Sequence, residues 1–173
     1  MYDGHEYVRE NVLNDTLYKI NHDYSFTPKY IINAGKREVP IGLRSDSRLF
    51  ERESENYVIV NQMFETKDYM LLNYTYQSKR VTCYFHKDDN KLIYFPSPSG
   101  IPNDYDGGFD FWPVEQINKE MYAIYNAYLF EEHKKNNNRV APKGPPEAIE
   151  RFNQLTGQID PEDNPVLVIV RMK

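Results

Sequence analysis

The chain has 173 residues, 40% hydrophobic and 14% aromatic, with 15 Tyr, a single Trp, a single Cys and a formal net charge of −5. That length is enough for one domain with a real core. The acidic balance, with no basic block beyond Lys134-Lys135, excludes nucleic acid as an expected partner; Cys83 alone excludes an intramolecular disulfide; and no run is long and apolar enough to span a membrane.

In chain order, the start Met1-Tyr2-Asp3-Gly4-His5-Glu6 has no apolar core behind it and does not read as a signal peptide. Residues 6–13 read as a strand, although Arg9-Glu10-Asn11 also permits a helical turn. After the turn at Asn14-Asp15, residues 16–20 (TLYKI) and 27–32 (TPKYII) form a hairpin across 21–25. Residues 34–54, with Gly35, Pro40 and Gly42, read as a charged connector, and 44–55 as its solvated part.

Residues 57–95 carry the strongest pattern. Four apolar and aromatic runs, at 57–64, 69–76, 81–86 and 92–95, are separated by Thr66-Lys67-Asp68, Gln77-Ser78-Lys79 and Lys87-Asp88-Asp89-Asn90. β-Branched and aromatic residues broken by Asp, Asn and Ser predict an up-and-down four-stranded sheet. Val58-Ile59-Val60 and Met70-Leu71-Leu72 are apolar on successive residues, so both faces of this sheet are expected to be covered. A propeller blade meets that requirement. The central sheet of a β-sandwich or an α+β domain meets it too. Cys83, inside the third run, reads as a buried small hydrophobe.

The segment 96–102, with three Pro and one Gly, must be a loop, continued by 104–108. Residues 109–117 read as a strand made irregular by Pro113, and 121–130 as a second strand whose composition also permits helix. Residues 131–144 are polar and read as mobile. Residues 145–155 are the one expected helix. Pro145-Pro146 suits its first turn, Ile149, Phe152 and Leu155 share a face, and Gly157 can cap its end. Residues 165–172 (PVLVIVRM) are the last and most apolar strand.

Laid out in this way, the chain resembles the six-bladed β-propeller proteins of Bacteroides-type bacteria, which are commonly predicted lipoproteins of unknown function. The matching residues are Asp15-Thr16-Leu17-Tyr18-Lys19-Ile20, Pro28-Lys29-Tyr30-Ile31-Ile32 with Gly35-Lys36, Asp106-Gly107-Gly108, Phe111-Trp112-Pro113 and Asp163-Asn164-Pro165-Val166-Leu167. The resemblance implies a mainly β fold, a partial propeller of antiparallel four-stranded blades. An incomplete blade would cover 6–33, a full blade 57–95, and a last blade 109–173 with a helical insertion at 145–156. At about 40–45 residues per blade, six blades need roughly twice this chain, so it resembles the C-terminal half of such a protein. Taken as it stands the chain would stay in the cytoplasm. As a truncated relative it belongs in the periplasm or on the outer membrane. An open last blade, V-L-V-I-V, also invites pairing with a second copy.

The richest constellation for chemistry is Asp104-Tyr105-Asp106-Gly107-Gly108-Phe109-Asp110-Phe111-Trp112. Its simplest reading is a Gly-Gly turn entering a strand, with Phe111 and Trp112 packed inside. A second reading is a sugar-binding patch, in which Tyr105 or Trp112 stacks on a pyranose and Asp104, Asp106 or Asp110 fixes its hydroxyls. A calcium loop fits worst, because Gly108 stands where an oxygen ligand is needed and Phe109 where the sharp-turn Gly belongs. No metal or cofactor is expected. His5, His22, His86 and His133 are scattered, and no G-x-S-x-G elbow or phosphate-cradling Gly loop occurs. The expected function is therefore a non-enzymatic binding module for a glycan, peptide or envelope protein. The alternative is a glycan-active hydrolase or lyase whose site is shared with a missing N-terminal half.

Overall fold

A computed structural model describes residues 5–10, 13–96, 99–135 and 141–171. These form a mainly β chain with three antiparallel sheets of three, four and three strands, and four α-helices. The chain divides into two compact units, Met1–Tyr94 with Ile117–Lys119, and Phe95–Gln116 with Glu120–Lys173.

The first unit holds two sheets. The first is the meander β1 (Glu6–Val8), β2 (Thr16–Ile20) and β3 (Phe26–Ile31). Of the strand expected over 6–13, only Glu6–Val8 is a strand, and residues 11–12 lie outside the described residues. Pro28 sits in β3, an edge strand, opposite Tyr18 and next to a register shift at Leu17/Tyr18. A residue that cannot donate to a ladder is tolerated at such a place. The second sheet is β4 (Ile59–Glu65), β5 (Tyr69–Tyr76), β6 (Lys79–His86) and β7 (Lys91–Tyr94). Its four strands fall on the four runs read from the sequence. The β5–β6 connection is a two-residue turn, with Tyr76 opposite Lys79 and both Gln77 and Ser78 at positive φ. That conformation matches the twist of a hairpin. The Ser78 hydroxyl donates to the Glu55 carboxylate, and Gln77 N donates to Glu55 O at 3.2 Å, which ties down a turn without glycine.

Met70 and Leu71, successive residues on the inner strand β5, are both buried, so the sheet is covered on both faces there. Cys83 is fully buried on β6, and burial pushes its thiol up to about 11. It is an inert core residue.

The stretch 34–54 is not the open connector its charge suggested. It folds as a 3-10 turn (Gly35–Arg37), α1 (Ile41–Arg44) and α2 (Ser47–Glu53). Asp46 caps α2 by accepting from Leu49 N at 3.0 Å, a start signal present in the sequence. Val39 and Leu43 from this stretch are buried.

One buried carboxylate joins the two sheets of this unit. Glu65, at the end of β4, is 7% exposed. Its Oε1 accepts from Lys87 Nζ at 2.7 Å and from the Tyr30 hydroxyl on β3. The Lys87 ammonium also donates to Thr66 O at 2.6 Å. Arg9, just after β1, adds a second tie, with Nη2 donating to Val60 O on β4 at 2.5 Å.

The second unit holds β8 (Glu115–Ile117), β9 (Glu120–Tyr125) and β10 (Val166–Arg171), with α3 (Ala127–Lys135) and α4 (Pro146–Gln158) between β9 and β10. The strand expected over 109–117 shrinks to β8 and a single bridge between Ile101 and Phe111. The strand expected over 121–130 ends at Tyr125, and the chain turns into α3. Ala, Leu, Glu and Lys dominate that segment, Ala127 and Phe130 face inward at helical spacing, and His133, Lys134 and Lys135 suit its negative end. Of the stretch expected to be mobile, 131–135 is thus helical, and residues 136–140 lie outside the described residues.

The expected single helix, α4, begins as read, with Pro146 in its first turn and Glu147 behind it. It runs through Gly157 instead of stopping there, and Leu155 is 48% exposed while Thr156 is buried. Ile149 and Phe152 are half-buried, as the shared apolar face predicts, and Thr156 takes the inward place expected for Leu155. β10 is an edge strand. Leu167 and Ile169 on its outer face are each 54% exposed.

Glu65 gives a test of how the first unit is held. Burial alone would raise its carboxyl, but the bonds from Lys87, Tyr30 and Tyr7 outweigh burial and hold it below the usual range. A carboxylate with a depressed folded pKa stabilises above its unfolded value, about 4.3, and that stability is lost as pH falls through the folded value. Thermal melts across acid and neutral pH should therefore show a steep acid loss. Glu65→Gln should lower neutral-pH stability by about 1–3 kcal/mol and flatten that acid loss. An unchanged acid slope would show that Glu65 does not carry it.

Candidate functional site

The loop between β7 and β8 carries the residues singled out from sequence, and it is built from its own short side chains. It closes at its base through the Ile101–Phe111 bridge, with Ile101 N to Phe111 O at 2.9 Å and the reverse bond at 2.8 Å. Gly100 is required at that closure. Its φ is +136°, and a Cβ there would lie 2.4 Å from Phe111 O.

Inside the loop, Asn103 Oδ1 accepts from Tyr105 N at 3.1 Å, and Asn103 Nδ2 donates to Asp106 Oδ1 at 2.8 Å. The same Asp106 oxygen accepts from Gly108 N at 2.9 Å. Short polar side chains that bond the backbone two residues on build turns of this kind. The segment before α4 fastens the outside. Lys143 N donates to Asp104 O at 2.6 Å and Gly144 N to Tyr105 O at 2.9 Å. A Cβ on Gly144 would stand 2.2 Å from Tyr105 O, so the two segments meet only because that residue is glycine.

Beneath the loop lies an aromatic cluster. Phe109 stacks on Tyr125 at 4.7 Å and meets Phe130 edge-on at 4.8 Å and His133 at 4.5 Å. His133 Nε2 lies 2.7 Å from the Gly107 carbonyl, the acceptor for its ring N–H. The Tyr125 hydroxyl donates to Asp110 O at 3.0 Å. Burial, with the Asp110 charge second, pushes that phenol up to about 12. Tyr125 is therefore a neutral donor and not a base.

The five sequence-selected residues take different roles in this arrangement. Asp104 is at the surface, with Oδ2 3.2 Å from Lys143 Nζ. Tyr105 is 59% exposed. Asp106 is consumed by the turn. Asp110 meets Tyr125 through its backbone carbonyl. Trp112 is 8% exposed, inside the unit with Pro113. Asp104 and Tyr105 thus share the surface, while Trp112 offers no open ring face. Sequence reading missed Asn103, His133, Lys143 and Gly144. The Asn103-Asp104-Tyr105-Asp106 string signals its own turn, but nothing local signals that His133 or residues 143–144 meet it. Among the described residues, no three His, Cys, Asp or Glu side chains gather to hold a metal ion, and no helix is long and apolar enough to cross a membrane.

Residues 1–171 match the family described as a domain of unknown function, DUF4934. The chain belongs to this family. No curated protein matches it. Among solved structures, this DUF4934 chain is similar to a "putative exported protein" from Bacteroides fragilis NCTC 9343, with 12% identity and a TM-score of 0.67. The similarity covers 100% of this chain and 49% of that one, so the chain spans about half the length of that protein.

The loop's construction separates the roles of Asp104 and Asp106. Asp106→Ala removes an acceptor of two bonds and should cost about 1–2 kcal/mol. Asp104→Ala breaks only an exposed ion pair and should stay within about 0.5 kcal/mol of the parent. Denaturant melts compare them directly, and equal effects would contradict the turn assignment.

Proposed function

We propose that this chain is a non-enzymatic ligand-binding module of a bacterial cell-envelope protein, and that its three sheets are blades of a partial β-propeller. The observation that carries the binding reading is Tyr105. An aromatic ring is held in solvent, beside Asp104 and Lys143, on a loop fixed by its own hydrogen bonds. Ring and charged groups on a preformed platform suit a saccharide, with the ring against a pyranose face and the carboxylate and ammonium on its hydroxyls. Peptides and envelope proteins remain alternative occupants of the same surface.

The blade reading is supported by three consecutive antiparallel sheets, each with its strands in sequence order across the sheet. Full-length similarity to half of a longer chain supports it further. Similarity to a "putative exported protein" supports an envelope location. The outer apolar side chains of β10, Leu167 and Ile169, are surface that a further sheet or a second copy would cover.

A glycan array followed by titration of the best hit tests the binding reading. Tyr105→Ala should weaken binding about tenfold and leave the melting temperature unchanged. Cleavage of any array glycan, abolished by Asp110→Ala in a protein that still melts normally, would replace the module with the enzyme reading. Binding indifferent to Tyr105→Ala would remove the loop as the site.

A further inference from the structure

A cleft lies in the first unit, at the end of the first sheet. It has a volume of about 330 Å³ and is lined by His5, Glu6, Lys19, Ile20, Asn21, His22 and Tyr24. Lys19 and Ile20 are neighbours on β2 whose side chains leave opposite faces, and Glu6 is the cross-strand partner of Ile20. The cleft therefore wraps the end of the sheet, where the β2–β3 turn begins. Its volume is at the small end of the range for ligand sites, about 300–1,000 Å³, and suits one or two sugar rings.

Its charges are not used up inside the protein. Lys19 Nζ has His5 Nε2 at 3.4 Å as its neighbour and forms no ion pair among the described residues. Glu6 also lacks an ion pair among the described residues, and His22 is exposed in the turn. The ammonium, the exposed His22 imidazole and the Nδ1 side of His5, whose Nε2 faces Lys19, are donors for an anion. Glu6 is a fixed acceptor that a bare phosphate would avoid and a hydroxyl would use. Together they call for a ligand both anionic and hydroxylated.

The turn supplies an aromatic platform. Tyr24 has φ +62°, an uncommon conformation for a bulky residue, and its ring is 84% exposed. No packing of the ring compensates for that backbone conformation. Instead the turn enforces it. Asn21 N donates to Ser25 O and Tyr24 N to Asn21 O, both at 2.9 Å. Asn21 Nδ2 donates to Ser25 Oγ at 2.9 Å and Thr27 Oγ1 at 2.8 Å, and Ser25 N donates to Asp23 Oδ1 at 3.1 Å. A strained residue held by its surroundings with its ring in water is the kind of arrangement that ligand sites keep. Phe26, the cross-strand partner of Ile20, is a second exposed ring nearby in the sheet.

We infer that this cleft binds an acidic saccharide: a pyranose stacks on Tyr24, its anionic group is held by Lys19 with His5 and His22, and a ring hydroxyl donates to Glu6. The site is independent of the Tyr105 loop, and its test is arranged to keep the two apart. The full chain is titrated calorimetrically at physiological salt with trigalacturonate, a heparin-derived tetrasaccharide and neutral maltotriose. The expected result is saturable binding of at least one acidic oligosaccharide and none of maltotriose, with the carboxylated and sulfated arms identifying the anion. Lys19→Ala and Tyr24→Gly should each weaken that binding about tenfold, while Tyr105→Ala leaves it unchanged. Tyr24→Gly removes the ring and relieves the backbone, so it keeps the turn folded, and His22→Ala in the exposed turn gives a second reading that does not touch a strand. No binding of either acidic oligosaccharide overturns the inference. So does binding that Lys19→Ala and Tyr24→Gly leave intact, or binding that Tyr105→Ala abolishes.

Discussion

A buried carboxylate, seconded by Arg9, joins the first two sheets. Glu65 lies at the end of β4, away from solvent, where an unpaired carboxylate would be costly. It is tolerable because Lys87, from the β6–β7 turn, and Tyr30, from β3, both reach it. Lys87 lies on the same sheet as Glu65 and Tyr30 on the other, so the full set of partners assembles only when both sheets are in place. Apolar burial is non-directional and by itself would allow two sheets to slide. A charge that needs named partners does not. The β2–β3 hairpin and the cleft at its end are thus held by a sheet that is fastened, and not left as an isolated three-stranded ribbon.

The sequence was most legible where local chemistry and tertiary demand agreed. Residues 57–95 alternate strand formers with turn formers, and β4–β7 fall where those runs fall. The doubled apolar pairs also foretold burial on both faces, which Met70 and Leu71 meet. Legibility failed where a segment carried two compatible signals. Residues 121–130 contain strand-like Met121-Tyr122-Ala123 and helix-like Ala127-Tyr128-Leu129, and the chain uses both, changing over at Asn126. In 34–54 the charges hid a capping residue, Asp46, and two short helices. The helix α4 was found with Ile149 and Phe152 inward, but its last inward residue is Thr156 and not Leu155, because the burial of Thr156 depends on contacts made elsewhere.

The candidate loop shows the same division. Its glycines and acidic residues marked it as a turn, and Asn103, Asp106 and Gly108 make that turn. What the sequence could not reveal was which side chains the turn consumes and which it leaves outward. Asp106 and Trp112 are spent on structure, and Tyr105 is not. Tyr24 follows a similar logic in the other unit. Both are rings held in water by hydrogen bonds of short polar neighbours, and preformed display of this kind lowers the ordering cost of binding. The Tyr-rich composition supplies the rings, while the Asn and Asp content supplies the turns.

The claim on which the rest stands is that the first sheet is locked to the second and does not open alone. Native-state hydrogen exchange of the β2 amides, compared with those of β5, measures this directly. The account predicts that both sets exchange through one common opening, with matching free energies and matching denaturant dependence. If the β2 amides exchange orders of magnitude faster than those of β5, the first sheet opens independently. In that case the Glu65 anchor does not hold the two sheets as one body.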